Sequence, residues 1–181
     1  HTSEAVPSVG DKFDKAQFQA ALKAGHVDSI TVFSKCHHGW AYHPSTANEM
    51  HPKLKFDLLG AQLEACREIG VNAPVYLSAG HDEKYARRHP EDIVKWHPGD
   101  GADFLNAAYY HLICYNTPYL DYLMAQVEEV MQKYNPSGIF LDISAPRACV
   151  CNRCIESMRK LGLDPRNPED VKKHGDMVYA E

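Results

Sequence analysis

No stretch of this sequence approaches the ~20 consecutive apolar residues that a membrane helix needs, so no membrane partner is expected. It has no basic run: 19 Lys and Arg stand against 24 Asp and Glu, a formal charge of −5. That argues against nucleic acid and against an anionic lipid surface. It has no glycosylation sequon, because Asn135 is followed by Pro136. It has no internal repeat, no low-complexity tract and no linker. No G-x-G-x-x-G or phosphate loop follows any apolar run, which lowers the nucleotide-binding readings. There is no H-E-x-x-H or H-x-x-x-H helix of the kind that builds catalytic zinc sites. The first residue is His1 and no signal peptide is visible, which leaves location open.

What is present is ordinary in bulk and informative in order. The 181 residues are 44 % hydrophobic and 24 % charged, enough for one domain with a proper core. Asp14 to Ala24 reads as a helix, capped by Asp14 and stopped by Gly25. Ser29 to Ser34 is a β-branched apolar run, hence a buried strand, and a His-rich loop follows. Asp57 to Ile69 is amphipathic, with Leu59, Leu63, Cys66 and Ile69 on one stripe and Gly70 as its stop. Ala73 to Ser78 is the next strand, followed by a long loop from Gly80 to Tyr115. Thr117 and Pro118 open a helix that runs to about Tyr134, with Val127, Val130 and Met131 on its buried face. Gly138 to Ile143 is a third strand. A short helix follows Cys154 and ends near Gly162, and Asn167-Pro168 opens another.

Strands alternating with helices predict parallel βαβ units, and continuous apolar strands predict burial on both faces. The loops after strands are long and those after helices are short. That asymmetry favours a (β/α)8 TIM barrel, with its site in the βα loops, over an open doubly wound sheet. A full barrel takes about 250 residues. Residues 1–181 are therefore expected to be a single domain that holds the N-terminal part of one.

Four groups of residues carry chemistry. Asp142 closes the strand Gly-Ile-Phe-Leu-Asp, and a carboxylate at a barrel strand tip is costly unless used or paired. Glycosidases need one carboxylate to attack or to activate water and a second as acid. The structural alternative is an Asp that caps the next loop. His37, His38 and Trp40 follow the first predicted strand; imidazoles can bond sugar hydroxyls and an indole can stack on a sugar face. His81, Asp82 and Glu83 follow the next strand, with Glu83 the obvious carboxylate partner for Asp142; a solvated loop is the plainer reading. Cys149-x-Cys151-x-x-Cys154 has a chelating spacing, and Cys114 is the natural fourth ligand of a structural zinc; disulfides are the alternative. Cys36 and Cys66 are weaker candidates, and Cys66 fits a buried free thiol. Clustered thiols in a chain of this size favour metal and a cytoplasmic location.

Three motifs together resemble a known family. Phe33-Ser-Lys-Cys-His-His-Gly-Trp, then Pro44-Ser45, and later Val75-Tyr76-Leu77-Ser78 resemble the alpha-L-fucosidases. The resemblance implies a TIM barrel in which His37 and His38 contact the sugar and Asp142 is the nucleophile of a retaining reaction. A fuller match, over nearly the whole chain, is to a family of hypothetical glycoside hydrolases related to that group. It carries the Lys-Cys-His-His-Gly segment, His51-Pro52, Asp57-Leu58-Leu59-Gly60, Asp82-Glu83 and the cysteine cluster. In that family His1-Thr2-Ser3 directly follows the first barrel strand. The cysteine layout also resembles the zinc site of some barrel beta-galactosidases. Gly39 departs from the fucosidase pattern, which has an Asp there, and that family's general acid comes from later in the barrel.

The expected activity is thus retaining cleavage of a terminal sugar, with a carbohydrate substrate as the partner. Asp142 is the nucleophile, and Glu83 or a downstream carboxylate is the acid/base. His37, His38, Trp40, His81 and Asp82 hold the substrate. Two rivals are a metal-dependent hydrolase using His37, His38 and His81, and a non-catalytic carbohydrate-binding barrel. The chain by itself is expected to be an inactive fragment that self-associates, and a homo-oligomer is left open.

Overall fold

The computed structural model describes residues 1–101 and 110–180. The rest of the predicted long loop, 102–109, lies outside the described residues. The chain folds as two compact units. The first comprises His1–Ser78 and Met124–Asp142, the second Ala79–Leu123 and Ile143–Glu181.

The first unit is built on a parallel sheet. Helix α1 (Lys15–Ala24) is capped by Asp14, whose carboxylate accepts from Gln17 N, and strand β1 (Val32–Lys35) follows. Helix α2 (Leu58–Glu68) is capped by Asp57, which accepts from Gly60 N, and leads to strand β2 (Val75–Ser78). Helix α4 (Tyr119–Tyr134) enters this unit and leads to strand β3 (Ile139–Asp142). The sheet order is β1-β2-β3, with both pairings parallel. Val75 stands opposite Ile139, Tyr76 opposite Phe140 and Ser78 opposite Asp142.

Period-two alternation sorts these strands into two faces. Val32, Val75 and Leu77 point to one face, where they pack with Leu22 of α1, Leu59, Leu63 and Cys66 of α2, and Val130 and Tyr134 of α4. Each such side chain taken fully from water contributes roughly 1.5–3 kcal/mol. Phe33, Tyr76 and Phe140 form a stacked rung on the other face, with ring centroids 4.2 and 5.9 Å apart. Ser78 and Asp142 stand one step further along that face.

Three expectations from the sequence are corrected here. Strand β3, at one edge of the described sheet, is not buried on both faces: Phe140 is 51 % and Leu141 41 % exposed, whereas β1 at the other edge is largely buried. The buried stripe of α4 runs through Leu123, Gln126, Val130 and Tyr134, with Val127 half-buried, which turns Met131 outward at 42 % exposure. The first predicted strand starts three residues later than its β-branched run, at Val32. Ser29 makes only an isolated bridge to Asn72.

The second unit is helical. The predicted long loop contains helix α3 (Glu83–Arg88) and a 3-10 turn (Pro90–Asp92), which the sequence reading missed. Helix α5 (Asn152–Lys160) begins before Cys154, not after it, since Cys151 occupies its N-cap; helix α6 (Pro168–Ala180) follows. Gly175 in α6 is required by packing. A Cβ there would meet the carbonyl oxygen of Arg147.

Candidate active site

The tip of the sheet in the first unit gathers a carboxylate, a phenol, an imidazole and a hydroxyl. Asp142 ends β3 with its side chain 34 % exposed. Tyr76, two residues before the end of β2, donates from its phenol to Asp142 Oδ2 at 2.6 Å. Burial first, and then this carboxylate, push the Tyr76 phenol well above the ordinary tyrosine range, so it stays protonated as a donor. His37, just after β1, places Nε2 3.9 Å from Asp142 Oδ2 and Nδ1 2.7 Å from Ser78 Oγ. The ring of His1 stacks on that of His37 at 3.9 Å, and its Nδ1 accepts from His37 N. Immediately after Asp142 the backbone of Ile143 sits at φ 57°, a conformation that a β-branched residue rarely adopts. Such strain costs about 1–3 kcal/mol and persists only where the surroundings impose it.

The remaining sequence candidates are placed as follows. His38 is half-buried in the same loop as His37. Trp40 donates from Nε1 to Glu4 at 3.2 Å and packs edge-on against His51. Those residues and Asp142 lie in the first unit. His81, Asp82 and Glu83 lie in the second. His81 Nδ1 is 3.0 Å from His111 O. Asp82 is buried and caps α3 by accepting from Tyr85 N. Glu83 is bound by His111 Nδ1 at 2.9 Å and Arg87 Nε at 3.3 Å.

Sequence reading missed Tyr76, Ser78 and His1. The signal for the first two was available. Both predicted strands end in an apolar residue followed by a polar one, Leu77-Ser78 and Leu141-Asp142. Aligning these ends pairs Ser78 with Asp142 and puts Tyr76 on their face. For His1 nothing local pointed to the site.

Two further features of the first unit hold the loop after β1. His43 is buried, with Nε2 2.9 Å from Ser34 Oγ and Nδ1 3.0 Å from Pro44 O, and burial lowers its pKa. Glu129 of α4 accepts from the Ser45 hydroxyl and from Thr46 N and Oγ1. Burial raises the Glu129 pKa, but these bonds outweigh it and hold the carboxyl below its usual range.

In the second unit Cys114, Cys149, Cys151 and Cys154 converge. All four are buried, and their sulfurs lie within 4.8 Å of one another. Cys114 Sγ is 3.4 Å from Cys154 Sγ and 4.0 Å from Cys151 Sγ. Tetrahedral zinc with Zn–S of about 2.3 Å sets S···S at about 3.8 Å, so the donor set fits such an ion. The thiols are free, not bridged as the disulfide alternative required. Cys149 Sγ accepts from Lys95 N and Cys151 N, each at 3.4 Å, and Cys154 Sγ from Asn116 Nδ2 at 3.6 Å. Contact with Cys114, chiefly, drives the Cys151 thiol far below its ordinary pKa, and contact with Cys149 first, then Cys151, drives the Cys114 thiol far above it. Cys66 is a buried free thiol whose pKa burial raises.

The chain belongs to the hypothetical glycosyl hydrolase 6 family, whose model matches residues 14–143. It is similar to alpha-L-fucosidase isoenzyme 2 from Paenibacillus thiaminolyticus: 51 % identity, TM-score 0.93, with 99 % of this chain and 28 % of that chain covered. It thus spans less than a third of that protein. Two further likenesses concern the fold alone. The alpha-fucosidase of Thermotoga maritima has 20 % identity and a TM-score of 0.55, covering 93 % of this chain and 34 % of that one. A hypothetical protein from Ruminiclostridium thermocellum has 16 % identity and a TM-score of 0.61, covering 91 % and 83 %. No curated protein matches. No helix among the described residues is long and apolar enough to cross a membrane.

Proposed function

We propose that this chain is part of a retaining, alpha-L-fucosidase-like exo-glycosidase, with Asp142 as the nucleophile. The observation that carries the reading is the 2.6 Å bond from Tyr76 to Asp142 Oδ2 at the strand tip, beside His37. Tyr76 engages Oδ2 and so leaves the attack to Oδ1. That oxygen bonds to the anomeric carbon while the bond to the leaving oxygen breaks, and a general acid protonates the leaving group. Water then releases the sugar from Asp142, with the same residue acting as base. His37, His38 and Trp40 hold the terminal sugar. Glu83 is tied to His111 and Arg87, which favours a downstream carboxylate over Glu83 as the acid/base.

Residues 1–181 belong to one partial (β/α)8 barrel in this reading. The three strands follow chain order, and the helices in the core of the first unit all pack on the face of Val32, Val75 and Leu77. Both features suit a barrel wall. The exposed edge strand β3 is where the wall would continue. The four thiols hold a structural zinc that staples the loop after β3 to the loop before α4, and the ion takes no part in the chemistry. The identity of 51 % to an alpha-L-fucosidase supports a carbohydrate substrate ending in fucose. The rival metal-dependent hydrolase is disfavoured, because the metal-competent grouping found among the described residues is made of thiols, not of His37, His38 and His81.

In the full-length protein, Asp142→Asn should fold normally and lose aryl alpha-L-fucoside hydrolysis by about 10³-fold or more, the scale of removing a nucleophile. Near-normal turnover would refute the assignment.

A further inference from the structure

Ser78 is fully buried at the end of β2, opposite Asp142 in the sheet register, with Oγ 2.7 Å from His37 Nδ1. The other ring nitrogen, Nε2, lies on the Asp142 side, 3.9 Å from Oδ2. A neutral imidazole has one N–H and one lone pair, and which nitrogen carries the proton is set by the bond the other makes. A carboxylate oxygen offers only lone pairs, so the field of Asp142 favours a proton on Nε2. Nδ1 is then an acceptor and needs a donor. Two hydroxyls are within reach, Ser78 Oγ at 2.7 Å and Tyr76 Oη at 3.5 Å; the Tyr76 proton is given to Asp142, and Ser78, which also bonds to Tyr76, is the nearer donor. The His1 ring stacked at 3.9 Å restrains the plane of the imidazole.

We infer that Ser78 is a positioning residue: it donates to His37 Nδ1 and fixes the ring as the Nε2–H tautomer, so that His37 turns a hydrogen-bond donor toward the space beside Asp142. This rests on the glycosidase reading and gives it a specificity element. A donor at Nε2 selects a sugar hydroxyl that can accept at that place, beside the carbon attacked by Asp142. With the opposite tautomer the same nitrogen would present a lone pair and could only accept a bond from that hydroxyl, reversing the direction of the contact.

The test uses the full-length protein. Long-range ¹H–¹⁵N imidazole correlations, with the His37 signals assigned through His37→Gln, report which nitrogen carries the proton. The expected result is the Nε2–H tautomer in the wild type and a mixture of tautomers in Ser78→Ala. Turnover of an aryl alpha-L-fucoside should show kcat/KM about tenfold lower in Ser78→Ala, the scale of one hydrogen bond to a group near a charge. A wild-type His37 protonated on Nδ1, or a ring unchanged by Ser78→Ala, would overturn the inference. The resonances answer this whether or not a glycoside is cleaved. A wild type inactive on a panel of aryl glycosides would count against the glycosidase reading alone.

Discussion

At the scale of single residues, the site is a carboxylate that accepts from the Tyr76 phenol at 2.6 Å, with an imidazole beside it. The raised pKa of Tyr76 keeps it a donor across the neutral and mildly alkaline range. Tyr76→Phe should lower kcat about 10–100-fold, since a hydrogen bond to a charged group contributes about 1.5–3 kcal/mol. Steady-state kinetics on an aryl fucoside check this, and an unchanged kcat would remove Tyr76 from the account. His43 gives a prediction in pH. Its folded pKa lies below the unfolded value of about 6.5 because burial disfavours the cation, so the unfolded chain binds the proton more readily. Its contribution is present above pH of about 6.5 and is lost as pH falls toward the folded pKa. Urea midpoints measured from pH 7.5 to 5 should fall, and less steeply in His43→Gln; an equal slope in the variant would contradict this.

Much of this scale was legible in sequence. Asp142 stood out as a charge ending an apolar run, and His37 as an imidazole just past a strand. Tyr76 did not, because an aromatic inside a strand reads as core until register fixes its face. His1 did not, because its partner is 36 positions away in sequence.

At the scale of elements, the caps and stops in the sequence mark the helices well. Asp14 is an N-cap as expected, Asp57 caps α2 without having been singled out for it, and Gly70, at φ 72°, follows the end of α2. Asp57 also accepts from Tyr134 Oη at 2.7 Å, which ties α2 to α4. Asp57→Ala should therefore cost about 1–2 kcal/mol, the upper part of the range for a cap, read as a shift in urea midpoint. The reading failed where tertiary context overrides local pattern. Met131 follows the apolar spacing of α4 as well as Val130 does, but only one of them faces the sheet. Helix α3 was hidden in a long polar segment, although Asp82 is a good cap in hindsight. Helix α5 starts early because Cys151 holds its N-cap and Cys154 its first turn, which brings two thiols of a C-x-x-C pair to one point.

The thiol cluster gives a prediction of its own. The purified protein should hold one zinc per chain, lost in Cys114→Ser. Removal by chelator should lower the melting temperature by roughly 10 °C, given that each kcal/mol moves it by about 2–4 °C at this size. A metal-free protein with unchanged melting would refute the site.

At the scale of the whole molecule, chain order and strand order agree, and the sequence made a parallel α/β fold legible from the alternation of apolar runs alone. The exposed apolar side chains of β3 were not foreseen, since a run of Ile-Phe-Leu reads as buried wherever it stands. They make residues 1–181, expressed alone, prone to associate through that edge. Light scattering should show species larger than one chain, reduced by Leu141→Lys; a monomer at all concentrations would contradict this.

The central claim, that Asp142 attacks the sugar, is tested most directly by trapping. The full-length protein is incubated with 2-deoxy-2-fluoro-alpha-L-fucosyl fluoride, digested, and its peptides are sequenced by mass spectrometry. A 2-fluorofucosyl group on Asp142 is the predicted result, and the same label on any other carboxylate would contradict the account.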